Sequence, residues 1–284
     1  MTPALPGFTV RHTVSEVRMQ FTVADSRDRL LQSLSPGDLR ILDNRITVSR
    51  ISSFSRQDDL PLQVGVLLDV SDSVERARFP ERQAAEYFFS HVLNPKTDRA
   101  ALLAFGGELR VWQRFTGDRD TLSLTVSHIR QDGYATYLYD SVFHACHEQF
   151  ASSRDDDTAQ RVLVVISDGE DTGSLHSLSD AITMALRREV QVFAISIHSP
   201  RTAPKGDLIL QNLTEATGGK FYVANSPKDF QAMFASMAGQ MRTHYSVSFQ
   251  PVEQTPGFHS VKIQVSAGDK LRIHARQGYF FDAQ

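Results

Sequence analysis

Hydrophobic and polar residues alternate with a period of two at both ends of the chain. Within Val17–Val23 every second residue is apolar and the residues between are polar. This period is typical of half-buried β-strands, whose side chains point alternately to the core and to solvent. The same alternation runs through much of the last forty residues, so we predict β segments at 1–61 and 244–284.

The middle of the chain has longer apolar runs, separated by segments of helical periodicity. Buried strands are predicted at Val64–Leu68, Ala100–Phe105, Val162–Ile166 and Val190–Ile197. Helices are predicted at about 79–93, 137–151, 175–188, 206–217 and 227–243. Strands that alternate with helices need crossover connections, so we predict an α/β domain over 62–243, with a doubly wound, mostly parallel sheet and helices on both faces. Glu108–Phe115 closely follows two glycines and predicts an antiparallel edge hairpin.

The two flanking β segments are each too short to build a comfortable core alone, since their strands hide only one face. We therefore predict that 1–61 and 244–284 pair in one small β-sandwich-like module, into which the α/β domain is inserted. In a doubly wound domain, the first strand begins and the last helix ends on the edge away from the ligand-binding loops. Both flanks then leave the domain from the same side.

Composition and charge limit which partners and which cellular location we expect for this protein. The 284 residues carry 30 Lys and Arg against 33 Asp and Glu, a formal net charge of −3, and the basic residues form no dense cluster. We therefore expect no nucleic-acid partner. No apolar run approaches the roughly 20 residues of a membrane-spanning helix, and no signal-like apolar segment follows Met1. We expect an extracytoplasmic (periplasmic or secreted) location if a signal peptide has been removed, and a cytoplasmic one otherwise. The oligomeric state is left open.

The single cysteine excludes both an internal disulfide and a multi-cysteine zinc site. On a helical wheel Cys146 shares an apolar face with Val142, Phe143 and Phe150, while His144 and His147 lie elsewhere. We interpret Cys146 as a buried, unreactive residue and the histidines as exposed, rather than as zinc ligands.

Oxygen-bearing side chains lie next to three of the predicted elements. The first long strand runs into Asp69-Val70-Ser71-Asp72-Ser73, a second buried strand leads to Asp168, and Thr136 precedes a helix. In an open parallel sheet the carboxyl ends of the strands form the ligand-binding edge. Such hard oxygens suit Mg²⁺ or Mn²⁺. Taken alone, Asp-x-Ser-x-Ser is more often an ordinary strand-to-helix turn with Ser73 as a helix cap.

All three loops together resemble the von Willebrand factor A (VWA) domain with its metal-ion-dependent adhesion site, over about 62–243. The resemblance implies a divalent-cation site, Mg²⁺ or alternatively Mn²⁺ or Ca²⁺. The expected metal residues are Asp69, Ser71, Ser73, Thr136 and Asp168. It also implies that the serines and the threonine bind the metal directly, that the aspartates act directly or through water, and that a partner's carboxylate fills an open position. Asp72 departs from the small residue often found there and makes the rim more acidic.

A second resemblance covers the whole chain. Asp38–Leu42 and Arg276–Tyr279 look like segments of bacterial, acidobacterial-type VWA-related proteins. The function implied by both resemblances is a non-catalytic adhesion or assembly module that captures an Asp or Glu side chain of a protein partner. Two alternatives stay open, a metal-dependent phosphohydrolase and a structural envelope protein whose metal only stiffens the loops. The motifs of serine hydrolases, phosphate-binding loops and dinucleotide folds are absent from the sequence.

Overall fold

The computed structural model describes residues 16–71, 78–130, 135–150, 159–197, 204–224, 230–266 and 271–282. The strands within these ranges are β1 (Val17–Ala24), β2 (Leu39–Asp43), β3 (Ile46–Thr47), β4 (Ile51–Gln57), β5 (Leu62–Asp69), β6 (Arg99–Phe105), β7 (Leu109–Thr116), β8 (Gln160–Ser167), β9 (Gln191–Ser196), β10 (Phe221–Val223), β11 (His244–Phe249), β12 (Gly257–Val265), β13 (Arg272–Ala275) and β14 (Gly278–Phe281).

The helices are α1 (Arg78–His91), α2 (Arg119–His128), α3 (Leu138–His144), α4 (Leu178–Arg187), α5 (Pro204–Thr217) and α6 (Phe230–Arg242). A short 3₁₀ turn covers Pro36–Asp38, and a π-helical turn, Ala145–Gln149, continues α3. None of the helices in the described ranges combines the length and the apolar character that a bilayer crossing requires.

A six-stranded sheet in the order β10-β9-β8-β5-β6-β7 forms the centre of the molecule. All its neighbouring strands are parallel except β6 and β7. Alternate residues of β5 enter different cores, since Val64, Val66 and Leu68 pack with α1, α2 and α6, whereas Leu67 packs with α3, α4 and α5. Both faces of the sheet are therefore covered by helices, which explains the continuous apolar run. The predicted fold class is confirmed.

The antiparallel edge hairpin is also confirmed, because β7 pairs with β6 at the end of the sheet. Helix α2 was not predicted. Asp118 caps this helix, its carboxylate accepting hydrogen bonds from the backbone of Asp120 and Thr121, and Leu122 and Val126 are buried against the sheet. One apolar pair four residues apart is a weak periodic signal, so the helix depends on its cap and its tertiary contacts.

Strands from the two ends of the chain pair in two smaller sheets. One has the order β13-β1-β11-β4 and the other β14-β12-β2-β3. Phe21 lies opposite Tyr245 and Ile41 opposite Ile263, and these residues share one hydrophobic core. The predicted flanking strands are thus present, whereas β14 was not predicted. The division of the chain at residues 61 and 243 stays a prediction.

The π-helical turn changes the predicted helix face around the cysteine. Cys146 and Phe150 are buried as expected, but Phe143 is only half-buried and its ring stacks on His176 at 3.9 Å. A π-helical turn contains an extra residue, which rotates the subsequent residues relative to an α-helical wheel. Burial raises the pKa of the Cys146 thiol to about 12.

We expect Cys146 to react slowly with a thiol reagent in the folded protein and completely after unfolding, because the thiolate is the reactive form and burial disfavours it. The measurement is labelling with a chromogenic disulfide reagent, followed over time with and without denaturant. Labelling at the same rate under both conditions would contradict the burial of this side chain.

A buried ion pair fastens α6 to the amino end of the sheet. Asp98 is fully buried, and its carboxylate accepts hydrogen bonds from Arg242 and from the backbone N–H groups of Leu62 and Asn94. The pair thus lies where the central sheet begins and its last helix ends.

We expect Asp98→Asn to lower the free energy of unfolding by about 3–5 kcal/mol, since it leaves Arg242, whose side chain is only 17% exposed, without its charge partner. The matched control is Glu108→Gln, which alters the exposed pair that Glu108 makes with Arg110 and should change stability by less than about 1 kcal/mol. Urea denaturation measures both. Equal effects of the two substitutions would show that the buried pair contributes no more to stability than the exposed pair.

The first residue of β11, His244, is buried, and this burial lowers the pKa of its imidazole to about 4. The folded protein therefore holds His244 neutral. The unfolded chain takes up this proton near the ordinary pKa of about 6.5. Stability should consequently decrease as the pH falls from about 6.5 to about 4.

We expect His244→Phe to flatten this part of the stability profile, because the substituted residue has no proton to bind. His128→Phe, at an exposed position on α2, is the control and should keep the wild-type slope. The readout is the free energy of unfolding measured by urea titration between pH 4 and 7. An unchanged slope in His244→Phe would be evidence against neutral burial of this histidine.

Candidate metal centre

The carboxyl ends of two neighbouring strands meet at Asp69. Leu68 of β5 lies beside Ile166 of β8, which brings Asp69 next to Ser167. Asp69 Oδ2 accepts a 2.6 Å hydrogen bond from Ser167 Oγ. Asp69 was expected on a loop, but it is the last residue of β5 and is completely buried. Its carboxylate therefore joins two strand ends rather than pointing freely into solvent.

The first predicted hydroxyl ligand lies directly against this carboxylate. Asp69 Oδ1 accepts hydrogen bonds from the backbone N–H of Ser71 at 3.0 Å and from Ser71 Oγ at 2.6 Å. Burial raises the pKa of Asp69 to about 6, an effect that the charge of Asp168 strengthens and that the hydrogen bonds from Ser167 and Ser71 oppose. A charged Asp69 is thus incompletely compensated by its neutral partners.

The loop of Thr136 is attached to the same edge of the sheet. The N–H of Val70 donates to the carbonyl of Phe105 at 2.8 Å, and the N–H of Tyr137 donates to the carbonyl of Gly106 at 2.9 Å. Phe105 and Gly106, two adjacent residues at the end of β6, thus accept hydrogen bonds from the Asp69 loop and from the Thr136 loop. Thr136 itself is buried.

Thr136 is also fixed to the loop that follows β8. Its N–H donates to Thr172 Oγ1 at 2.9 Å, and the N–H of Thr172 donates back to the Thr136 carbonyl at 2.8 Å. Further along, Asp140 accepts hydrogen bonds from the backbone of Leu175 and His176. The structure therefore connects all three predicted loops through hydrogen bonds.

Asp168 follows Ser167 and is half-buried at this edge. Its Oδ1 accepts from the N–H of Glu170 at 3.1 Å, and Ser167 Oγ accepts from the N–H of Gly169 at 2.9 Å. Gly169 has a φ of +79°, a backbone conformation that favours glycine. The loop thereby turns sharply, and Asp168 remains beside Asp69.

The structure brings together Asp69 and Ser71 by direct contact, and Thr136 and Asp168 through the loops that carry them. Ser73, the remaining predicted ligand, lies outside the described residues, as does Asp72. Ser167 is a residue that sequence analysis missed as part of the site. Its position at the end of β8, in register with Asp69, was the available signal.

Within the described ranges no group of three or more His, Cys, Asp or Glu side chains is arranged to hold a metal ion. The predicted set contains only two carboxylates and otherwise hydroxyls, so it would rely on hydroxyl oxygens. Among the described residues, no Lys or Arg forms an ion pair with Asp69 or Asp168. Buried hard oxygens with uncompensated negative charge suit a divalent cation such as Mg²⁺, so the residues fit the expected group.

The loop of Asp168 packs tightly against the first turn of α5. A Cβ added to Gly206 would lie 2.0 Å from the Asp168 carbonyl oxygen, and one added to Gly169 would lie 2.3 Å from the Gly206 carbonyl oxygen. Side chains do not fit at such separations. The two glycines therefore permit the close approach that sets the position of Asp168.

We expect Gly206→Ala to lower the free energy of unfolding by about 1–3 kcal/mol through overpacking against the Asp168 carbonyl. Gly239→Ala is the matched control, since Gly239 also lies in a helix and its added Cβ would only reach a leucine methyl group at 3.7 Å. That control should be neutral or stabilising by up to about 1 kcal/mol. Thermal and urea denaturation decide between the two, and a neutral Gly206→Ala would contradict the close packing.

Comparison with solved structures gives the fold. One similar structure is an aerotolerance-related membrane protein from Bacteroides fragilis, with 18% identity, a TM-score of 0.50 and coverage of 63% of this chain and 100% of that chain. Another is proximal thread matrix protein 1 from the mussel byssus, with 13% identity, a TM-score of 0.55 and coverage of 69% and 51%. At these identities the likeness extends to the fold alone.

No curated protein sequence matches the chain at a significant level. The family model of the von Willebrand factor type A domain, however, matches residues 63–236, which is more than half of the chain and runs from β5 into α6. The matched range also contains the carboxylates and hydroxyls gathered at the end of β5. The chain belongs to the von Willebrand factor type A domain family.

Proposed function

We propose that this protein is a non-catalytic binding module that holds an Asp or Glu side chain of a protein partner through a divalent cation. Domains of the family generally act as protein-interaction modules. The proposed ligands are those named from the sequence: Asp69, Ser71, Ser73, Thr136 and Asp168. The observation that carries the proposal is the buried Asp69 carboxylate, surrounded by hydroxyl groups and lacking a cationic partner among the described residues.

The residues of the site have different roles. Ser167 donates to Oδ2 of Asp69 and thereby orients the carboxylate towards the Ser71 loop. Thr136 is held by two hydrogen bonds to Thr172, one from its N–H to the Thr172 hydroxyl and one from the Thr172 N–H to its carbonyl, which fix its loop before any ligand arrives. A bound Mg²⁺, Mn²⁺ or Ca²⁺ would supply an electrophilic open position for a carboxylate oxygen. The site needs no proton transfer, since its task is to bind.

Hydroxyl ligands favour this function over tight storage of an ion. Each hydroxyl is neutral, so the two aspartates supply all the negative charge of the proposed set. More carboxylates would hold the cation more firmly but would repel the acidic side chain of the partner. A set of this kind therefore keeps affinity for one further carboxylate, and its affinity for the free ion should be modest.

We expect Mg²⁺ at about 100 times its dissociation constant to stabilise the protein by about 2.7 kcal/mol, because the assembled site exists only in the folded state. Asp69→Asn should abolish this increment while keeping the size of the side chain and one acceptor for the neighbouring serines. Thermal melts with Mg²⁺, Mn²⁺ or a chelator measure the effect. Asp282→Ala, an exposed carboxylate at the end of β14, is the control and should keep the wild-type response.

Equal responses of wild type and Asp69→Asn to metal would remove Asp69 from the site. A second experiment tests the binding function itself. Immobilised wild-type protein is exposed to an extract of the producing cells with Mg²⁺ or with chelator, and the retained proteins are identified by mass spectrometry. The proposal requires a protein that is retained only with Mg²⁺ and only by wild type, not by Asp69→Asn. The same retained set under all conditions would contradict metal-dependent capture.

A further inference from the structure

A polar cavity of about 370 Å³ lies at the opposite edge of the central sheet from Asp69. It is bounded by the β13-β1-β11-β4 sheet, by the amino ends of β8 and β9, and by the carboxyl ends of α4 and α5. Its volume is within the range of small-molecule sites, about 300–1,000 Å³. Because the residues that form it come from both the flanking strands and the α/β domain, the cavity exists only when these parts are packed together.

One wall of the cavity contains a buried polar group without a partner. Gln160, the first residue of β8, is only 8% exposed and lines the cavity. Its backbone N–H donates to the carbonyl of Pro61, but its side-chain amide makes no hydrogen bond within the described part of the chain. The amide of Gln160 is still reached by solvent, whereas Oε1 of Gln191, the first residue of β9, is buried in the same wall and has no hydrogen-bond partner among the described residues. A ligand that donates a hydrogen bond to this oxygen would remove an unfavourable buried group.

Further polar side chains surround the same space. Arg18 and Gln20 of β1 and Gln57 of β4 line the cavity, and their side chains likewise make no hydrogen bonds to other described residues. Together with Gln160 they present three carboxamides and one guanidinium. Carboxamides both donate and accept hydrogen bonds, which suits ligands that carry hydroxyl groups.

The described residues that line the cavity carry a net positive charge. Among them are Arg18, Arg161 and Arg276, against one acidic residue, Glu189. Arg276 is already engaged, since it pairs with Glu189 at 2.7 Å and donates to the carbonyl of Arg18 at 2.7 Å. The side chain of Arg161 donates to the carbonyl of Arg188 at 3.2 Å, and it makes no ion pair with another described residue. Within the described part of the chain, the positive charge without an ion-pair partner therefore belongs to Arg18 and Arg161, and a guanidinium is well suited to carboxylate or phosphate groups.

We propose that this cavity binds a small hydroxylated organic anion. Arg18 and Arg161 hold its oxyanion group, either a carboxylate or a phosphate, and the carboxamides of Gln57 and Gln160 bind its hydroxyl groups. The occupant stabilises the packing of the flanking strands against the α/β domain, because it contacts both. The site is separate from the proposed metal centre and takes no part in the capture of a protein partner.

The test is isothermal titration calorimetry on the full chain, in buffer freed of divalent ions so that the metal centre does not contribute. The probes are sodium gluconate, a hydroxylated carboxylate, and glycerol 3-phosphate, a hydroxylated phosphate, with sodium chloride at equal ionic strength as the reference. We expect saturable binding of at least one probe at one molecule per chain. The probe that binds identifies the oxyanion.

Arg18→Gln and Gln160→Leu should each weaken this binding at least tenfold. Arg114→Gln, which changes an exposed arginine on β7 at the edge of the central sheet, should leave it unchanged. If Gln160→Leu does not fold, Arg18→Gln decides the matter, since Arg18 is exposed. The proposal is overturned if neither probe binds saturably, if chloride produces the same signal, or if Arg18→Gln binds as tightly as wild type.

Discussion

The burial of β5 on both faces is the constraint on which the rest of the structure depends. Alternate side chains of this strand enter two hydrophobic cores, and each core is completed by three helices. A strand in this position has no polar face, so its chemically active side chain is the residue that ends its apolar run, although this residue is itself buried. That residue is Asp69. The same packing that removes β5 from water thus fixes a carboxylate at the carboxyl edge of the sheet.

The cost of burying that carboxylate connects the fold to the proposed function. Asp69 receives hydrogen bonds from Ser71 and Ser167, yet burial still raises its pKa. Neutral donors stabilise a buried charge less completely than an opposite charge does. The site is therefore stable enough to form without a cation, while a cation that completes it contributes further stability. A binding module that depends on a recruited ion requires a site that forms without the ion and gains stability when the ion binds.

The sequence predicts the layout of the α/β domain well because its signals are local and strong. Long apolar runs mark the strands buried on both faces, and three oxygen-bearing loops mark the edge where they meet. The elements that the sequence did not predict depend on signals of a different kind. Helix α2 depends on the Asp118 cap and on packing against the sheet, and β14 is paired to a strand that begins more than twenty residues earlier.

The details of the candidate site depend on register, which a single sequence does not reveal. Ser167 is recognisable as a partner of Asp69 only when β5 and β8 are aligned residue by residue. Similarly, the π-helical turn after α3 rotates Phe150 and the residues near it relative to Phe143, so a regular wheel does not describe this face. Tertiary contacts over long sequence separations determine both features.

The location of a bound ion tests the central claim most directly. Crystals grown with saturating Mn²⁺ would be measured for anomalous scattering. The account predicts one strong peak beside Asp69, at about 2.0–2.2 Å from the hydroxyl oxygens of Ser71 and Thr136, distances typical of a small divalent cation bound to oxygen. The absence of a peak at this edge of the sheet, or a peak only elsewhere on the molecule, would contradict it.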